Sequence, residues 1–221
     1  MIEGIWIWAA AAVVGYLLGS LPTAYLLVRL FTRKNVMDWG TGNVGTLNVH
    51  RTTSSKLLTL LTLLGDLSKA YAAIVIGWLL ARQAGLDPGS APWPWATGGD
   101  HIGATIAGIA AILGHNYSVF LRFKGGKGIT CSASMGFYFH PFIVGFWVLS
   151  FFLTVAVSRW LVLGQMVATA AMPIFCYFLY PEASIASYFV AALVLWRHAP
   201  RIKSLLDGTE PKLYYKAQQS S

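Results

Sequence analysis

A basic, glycine-rich stretch at residues 123–128, Phe-Lys-Gly-Gly-Lys-Gly, lies between two long apolar runs. We call it the lysine–glycine segment. Its glycines allow the backbone to approach a ligand closely. Successive N–H groups in such a stretch can form an anion-binding nest, and Lys124 and Lys127 add positive charge. These residue types indicate a phosphate site. A basic turn that only fixes membrane topology is the alternative interpretation.

A second stretch with similar properties spans residues 40–51, and we call it the glycine–asparagine segment. Gly40, Gly42 and Gly45 make its backbone pliable. Arg51 can bind a phosphate or a carboxylate through two hydrogen bonds. Uncharged hydrogen-bonding side chains complete the segment: Thr41, Asn43, Thr46 and Asn48. Thr and Asn also cap helices, so a capping turn is the alternative. Two such segments on one membrane face would favour phosphate binding.

Ionisable residues also occur within the apolar runs. Asp66 and Lys69 are spaced i, i+3 on a predicted helix and can pair directly. Charges at membrane depth are costly and are usually paired or functional, and here we expect a structural ion pair. His115 is expected to have a structural role near the end of its helix. His198, beside Arg197 and near Arg201, is a candidate ligand contact.

Composition defines the class of protein that must position these residues. Hydrophobic residues make up 56% of the 221 residues, charged residues only 11%, and the mean hydropathy is +0.60. Soluble domains carry about 25% charged residues. The chain is therefore predicted to be an all-α integral membrane protein with one domain over residues 1–221. Cys131 and Cys176 suggest neither a disulfide nor a metal site. In such a protein the net charge of +8 reflects basic cytoplasmic loops rather than nucleic-acid binding.

Hydropathy and proline positions predict seven transmembrane helices. Pro22 is expected to kink the first helix, and His140-Pro141 should separate the fourth from the fifth. A polar loop is predicted at 32–55, a Pro/Gly/Trp-rich connection with Asp87 and Asp100 at 82–101, a tight turn at Pro181-Glu182, and a basic tail from Arg197. The predicted spans are 5–31, 57–81, 102–121 (interrupted near Gly114-His115-Asn116), 129–139, 141–157, 161–180 and 185–196.

The distribution of basic residues orients these helices. With the N-terminus outside and the C-terminus in the cytoplasm, every one of the 16 Lys and Arg residues except Lys69 and Arg82 lies on the cytoplasmic side. Reading 129–157 as one span would place Arg159 and the tail outside, against the positive-inside rule. The polar segments would then share the cytoplasmic face.

Several kinds of catalytic motif are absent from the sequence. No His is followed five residues later by Asp, no Gly-x-Ser-x-Gly elbow occurs, and no His, Cys and Asp residues have metal-ligand spacing. An enzyme of this composition would work mainly by positioning phosphorylated substrates and neutralising their charge.

The order and spacing of these pieces resemble the bacterial membrane acyl-phosphate:glycerol-3-phosphate acyltransferases, the PlsY family, over nearly the whole chain. The resemblance rests on Gly-Ser-Leu-Pro at 19–22, the glycine–asparagine segment, Asp66 with Lys69, Gly114-His115, the lysine–glycine segment, Ser-Arg-Trp at 158–160, Trp-Arg-His at 196–198 and Gly-Thr-Glu-Pro-Lys at 208–212.

The resemblance implies a cytoplasmic-side active site in the bacterial inner membrane that makes lysophosphatidic acid and phosphate from acyl phosphate and glycerol 3-phosphate, the first step of phospholipid synthesis. It implies membrane lipid as a partner, and no cofactor, metal, nucleic acid or obligate protein partner. The implied catalytic residues, which would contact glycerol 3-phosphate, are Thr41, Arg51, Lys127 and His198. Further implied substrate contacts are Ser20, Gly42, Asn43, Gly45, Thr46, Asn48, Lys124, Gly125, Gly126, Gly128, Thr130 and Arg201.

The chain also departs from the family pattern at the implied site. Thr41 replaces a Ser, and Leu47 and Cys131 each replace a Thr, with Thr46 and Thr130 one residue earlier. Val162 and Gln165 stand for two serines, and Arg201 for an Asn. A divergent paralogue with another phosphorylated substrate and a non-enzymatic organic-phosphate carrier are therefore the alternatives. A carrier should have its polar groups at the membrane midplane, whereas these cluster at one face.

Overall fold

The computed structural model describes residues 2–86, 101–210 and 212, and every regular element in these ranges is a helix. The predicted all-α class is confirmed. Most of the predicted connection at 82–101, with Asp87 and Asp100, lies outside the described residues, as do Pro211 and the tail from residue 213.

The helices belong to two compact units. The first unit, Met1–Pro141, contains α1 (Ile2–Ser20), α2 (Thr23–Thr32), α3 (Thr46–Thr53), α4 (Lys56–Gln83), α5 (Ile102–Asn116) and α6 (Ile129–Phe139), with 3-10 turns at Val36–Asp38 and Val119–Leu121. The second unit, Phe142–Ser221, contains α7 (Pro141–Ser158) apart from its first residue, α8 (Leu161–Leu179), α9 (Pro181–His198), a 3-10 turn at Ala199–Arg201 and α10 (Ile202–Leu206).

Five helical stretches in the described residues are long and apolar enough to cross a membrane: Gly4–Thr32, Lys56–Gln83, Ile102–Leu121, Pro141–Ser158 and Leu161–Leu179. They correspond to five of the seven predicted spans. The other two predicted spans are also helical, but α6 has only 11 residues. A span normally needs about 20 apolar residues.

Both predicted proline breaks are present. The first apolar stretch is divided into α1 and α2 by Leu21 and Pro22, neither of which is helical. The helix α6 ends at Phe139, His140 is extended, and α7 begins at Pro141. Proline lacks an N–H group and restricts the residue before it, so each break falls at or next to the proline.

Two predicted boundaries are wrong. Residues 32–55 are not all loop, because α3 occupies Thr46–Thr53. The predicted interruption of the third span near Gly114-His115-Asn116, by contrast, is confirmed, because α5 ends at Asn116. Pro181-Glu182 does not form a separate turn, because Pro181 is the first residue of α9, which continues to His198. Proline fits the first helical position, where its missing N–H would have no partner in the helix.

Small residues bring the helices of the first unit close together. A Cβ atom on Gly15 would overlap the backbone of Ala107, and one on Gly19 would overlap the backbone of Ala111. Gly77 and Gly103 make an equally close contact between α4 and α5. Membrane helices lack a hydrophobic drive to associate, so such close backbone packing supplies much of their attraction. It also fixes the start of the α1–α2 break against the end of α5.

This packing predicts a stability difference between two glycine-to-alanine variants. Gly19→Ala should lower the unfolding temperature in detergent, because overpacking costs about 1–3 kcal/mol. Gly145→Ala in α7 is the matched control, since its Cβ would meet no atom within 4 Å. Equal unfolding temperatures for the two variants would contradict the close α1–α5 contact.

Candidate active site

The glycine–asparagine segment folds around the buried side chain of Asn48. The Asn48 Oδ1 atom accepts hydrogen bonds from the Thr41 backbone N–H (2.8 Å) and the Thr41 hydroxyl (3.2 Å). Its Nδ2 group donates to the carbonyl oxygens of Val36 (2.9 Å) and Trp39 (3.0 Å). Gly40 must be glycine, because it has φ +59° and a Cβ there would overlap Asn48 Oδ1. Asn48, predicted as a substrate contact, thus holds the segment in shape.

The other residues of this segment that were predicted to contact substrate are more accessible to solvent than Asn48. Thr41, Gly42 and Arg51 are exposed, whereas Asn43, Gly45 and Thr46 are half-buried. Within the described residues the Thr46 Oγ1 atom is buried without a hydrogen-bond partner. Beneath the segment, α2, α3 and α4 share an apolar cluster that includes Val28, Val49 and Leu58. The segment therefore presents polar groups from a fixed apolar base.

The lysine–glycine segment is a tightly turned loop that leads into α6. Arg122 (φ 53°) and Phe123 (φ 60°) have left-handed backbones, and Gly128 (φ 83°) precedes the first residue of α6. The Ser118 carbonyl accepts from the N–H groups of Leu121 (3.1 Å) and Phe123 (2.8 Å). Lys124 is exposed, Lys127 is half-buried, and Thr130 is half-buried in the first turn of α6.

This loop rests on the C-terminal end of α5. The Gly126 N–H donates to the His115 carbonyl (2.9 Å). Cβ atoms on Gly125 and Gly126 would overlap the His115 carbonyl and the His115 ring, respectively, and one on Gly128 would crowd the Asn116 side chain. Both amide atoms of Asn116 are buried and have no hydrogen-bond partner among the described residues. The glycines are therefore required by the close approach of the loop to α5.

A buried polar network lies under the same end of α5. Lys69 Nζ is 2.8 Å from Asp66 Oδ1 and 3.2 Å from His115 Nδ1, and it donates to the Leu21 carbonyl at 2.8 Å. The Thr23 hydroxyl donates to Asp66 Oδ1. Asp66, Lys69 and His115 are 1%, 8% and 6% exposed. The predicted i, i+3 pair is thus present, and it also links α4 to the α1–α2 break and to α5.

The sulfur of Cys131 extends this cluster. Its thiol donates to the Asp66 carbonyl at 3.5 Å, and ligand atoms of Asp66, His115 and Cys131 lie within 4.8 Å of one another. Such donors could hold a metal ion. However, the Lys69 ammonium group already contacts both Asp66 Oδ1 and His115 Nδ1 and would repel a cation. The arrangement fits an ion-paired network better than a metal centre.

A small cavity of about 10 Å³ adjoins the network, lined among others by Ser20, Thr23, Asp66, Lys69 and His115. The Ser20 hydroxyl and Asp66 Oδ2 are buried without hydrogen-bond partners among the described residues. A cavity of this size holds about one water molecule. Ser20, predicted as a substrate contact, is 0% exposed and borders this cavity.

In the second unit, His198 and Arg201 each contact a side chain of their own unit. His198 is 0% exposed, with Nδ1 at 2.8 Å from the Val194 carbonyl and Nε2 at 3.1 Å from Gln165 Oε1. Arg201 Nη2 is 2.6 Å from Glu210 Oε1, and the Ser204 hydroxyl donates to Glu210 Oε2 at 2.6 Å. Arg201, predicted as a phosphate contact, therefore forms an ion pair with Glu210.

The sequence pattern did not reveal three of these partnerships. Nothing in the spacing of Asn48, Gln165 or Glu210 identifies the group each side chain contacts, because all three contacts need the tertiary fold. The glycines of 125–128 carried a partial signal, since their density indicated close backbone approach. The partner of that approach, the end of α5, was visible only in the structure.

The geometry defines an α-helical integral membrane protein with two polar, glycine-containing segments and a buried ion network. A sequence model of the glycerol-3-phosphate acyltransferase family matches residues 9–208. Curated relatives named glycerol-3-phosphate acyltransferase include one from Trichlorobacter lovleyi, 37% identical over 93% of this chain and 95% of its own length. Another, from Syntrophomonas wolfei, is 36% identical over 95% of this chain and 98% of its own.

The fold is similar to that of crystal structures of PlsY (YgiH), described as an integral membrane glycerol 3-phosphate acyltransferase. The glycerol 3-phosphate form has a TM-score of 0.74 and the lysophosphatidic acid form 0.75. Each is 26% identical and covers 93% of this chain and 94% of its own. The chain belongs to the glycerol-3-phosphate acyltransferase family, as its motifs predicted.

The buried network predicts a large cost for removing one charge. Asp66→Asn should destabilise the protein by about 3–5 kcal/mol, because the Lys69 ammonium group stays buried without its counter-ion. The measurement is the free energy of unfolding in detergent.

The matched comparisons are Asp207→Asn, at an exposed carboxylate, and the double variant Asp66→Asn/Lys69→Met. The first should unfold like the parent protein. The double variant should be more stable than Asp66→Asn alone, since it leaves no unpaired charge. A double variant less stable than Asp66→Asn would show that the pair does not act as a unit.

Proposed function

We propose that this protein transfers a fatty acyl group from acyl phosphate to the 1-hydroxyl of glycerol 3-phosphate. The observation that carries the proposal is family membership together with two glycine-containing segments suited to phosphate. The relatives are named for glycerol 3-phosphate, and solved forms of PlsY are described with glycerol 3-phosphate and with lysophosphatidic acid. The products are lysophosphatidic acid and inorganic phosphate.

The chemistry needs no nucleophile from the protein. The 1-hydroxyl oxygen forms a bond to the acyl carbonyl carbon, and the bond from that carbon to the phosphate oxygen breaks. Phosphate leaves with the electron pair and takes the hydroxyl proton. Acyl phosphate is a mixed anhydride with a good leaving group, so positioning and neutralisation of the phosphate charges supply most of the rate.

The roles follow from the resemblance and from side-chain accessibility. Exposed Thr41 and Arg51 and half-buried Lys127 contact glycerol 3-phosphate. Asn43 and the backbone at Gly45, Gly125 and Gly128 hold the acyl phosphate, and Gly126 supports the loop because its N–H donates to the His115 carbonyl. On the resemblance alone we also assign His198 to the acceptor, although its side chain is buried. Asn48 and Ser20 act by shaping the backbone, because their side chains are buried.

The topology proposed with this function has seven spans, an outside N-terminus and a cytoplasmic C-terminus, in the bacterial inner membrane. Its support is the presence of α6 and α9 in addition to the five stretches that are long and apolar enough to span. The placement of basic residues favours this orientation and puts the polar segments on the cytoplasmic side.

The first test is turnover by the purified protein with acyl phosphate and glycerol 3-phosphate. Phosphate release and lysophosphatidic acid formation are expected, and Lys127→Ala should abolish both because it removes the half-buried cation of the lysine–glycine segment. Lys56→Ala, at an exposed lysine, is the control and should retain turnover. Binding of glycerol 3-phosphate without turnover by the parent protein would instead indicate a carrier.

A second test addresses Gln165. Gln165→Leu should raise the KM for glycerol 3-phosphate severalfold, because it removes the group 3.1 Å from His198 Nε2. Gln165→Glu keeps an oxygen at that position and should stay closer to the parent KM. An unchanged KM in Gln165→Leu, measured by phosphate release, would exclude a part for this contact in acceptor binding.

A further inference from the structure

At Gly126, the lysine–glycine segment is supported by His115. The backbone of His115 accepts the Gly126 N–H at 2.9 Å. The His115 ring packs against the same glycine. A Cβ atom on Gly126 would overlap Nε2 of His115, and its next nearest atoms would be Cε1 and Cδ2 of that ring. The imidazole therefore limits how closely the loop can approach α5 at Gly126.

The other nitrogen of the same ring, Nδ1, contacts the buried ion network. The His115 Nδ1 atom is 3.2 Å from Lys69 Nζ and 3.6 Å from Asp66 Oδ1. Lys69 is fixed in turn by the Leu21 carbonyl at 2.8 Å. A shift of the ring would disturb a buried ion pair, which is costly at this depth. The imidazole thus acts as a spacer between a rigid network and the loop.

We propose that His115 is a positioning residue that sets the placement of Gly126 and Lys127 for the acyl transfer. The inference rests on the proposed function, in which this loop binds phosphate. His115 is not assigned to the chemistry itself, because its ring is 6% exposed and is covered by Gly126 on one edge and by Lys69 on the other. Small displacements of a positioned group can lower a rate by about 100-fold.

The steric contact allows a suppressor experiment. Gly126 does not have a left-handed backbone, so Gly126→Ala is opposed by the His115 ring rather than by backbone strain. We expect it to lower kcat/KM for acyl phosphate at least tenfold. His115→Asn keeps an oxygen near the Nδ1 position for Lys69 and removes the far edge of the ring. The double variant His115→Asn/Gly126→Ala should recover at least threefold over Gly126→Ala.

Gly145→Ala is the matched control, because a Cβ there meets no atom within 4 Å. It should keep the kcat and both KM values of the parent protein. A double variant no more active than Gly126→Ala would overturn the proposal. A general loss of stability is distinguished by measuring kcat/KM well below the unfolding temperature of every variant, where all of them are folded.

A second readout separates this proposal from the proposed function. Backbone amide hydrogen exchange over residues 123–129 should rise in Gly126→Ala and return toward the parent rate in the double variant. If the parent protein does not turn over acyl phosphate, the proposed function fails, while the exchange data still decide whether His115 positions the loop. Unchanged exchange in Gly126→Ala would refute the positioning role regardless of activity.

Discussion

The buried pairing of Asp66 and Lys69 is the constraint on which the first unit depends. Two opposite charges on a membrane helix are tolerated only when each has a partner. At the break, the Leu21 carbonyl accepts from the Thr23 N–H at 3.0 Å and also from Lys69 Nζ at 2.8 Å. The ion pair and the helix break therefore stabilise each other. His115, at the end of α5, completes the same network.

The two polar segments reach a fixed shape by different means. The glycine–asparagine segment is held from within, by four hydrogen bonds of the Asn48 side chain. The lysine–glycine segment is held by its contacts with the C-terminal end of α5. In both cases glycine is needed where a side chain would collide with the supporting group. A site that works by placing phosphates benefits from such rigid supports, because the backbone donors need no reorganisation during the reaction.

Three residues that depart from the pattern expected of the family have structural partners in their own units. Gln165 lies 3.1 Å from His198 Nε2, and Arg201 forms an ion pair with Glu210. Cys131, one residue after Thr130, directs its thiol to the Asp66 carbonyl. These residues are therefore integrated into the packing of the protein rather than left as exposed variations. Thr130, which was predicted as a substrate contact, is half-buried in the first turn of α6.

Much of the fold could be predicted from the sequence, because its signals are local. Apolar runs, proline positions and low charge density determined the helical membrane class, the break at Pro22 and the boundary at His140-Pro141. Motif order and spacing determined the family, as the matches over residues 9–208 show. The limits of α3 and the start of α9 at Pro181 were predicted wrongly, because polar residues and proline are also common in loops.

The tertiary structure alone decided what the site residues contact. The spacing of Asp66 and Lys69 determined that they could pair, but not that His115 and Leu21 would join them. The types of Asn48 and Gly126 suggested ligand contact, whereas the fold uses Asn48 as an internal hydrogen-bond centre and presses Gly126 against an imidazole. The physical reason is that hydrogen-bonding capacity is a property of a residue type, whereas its partner depends on which distant segments the packed helices bring within about 3 Å of it.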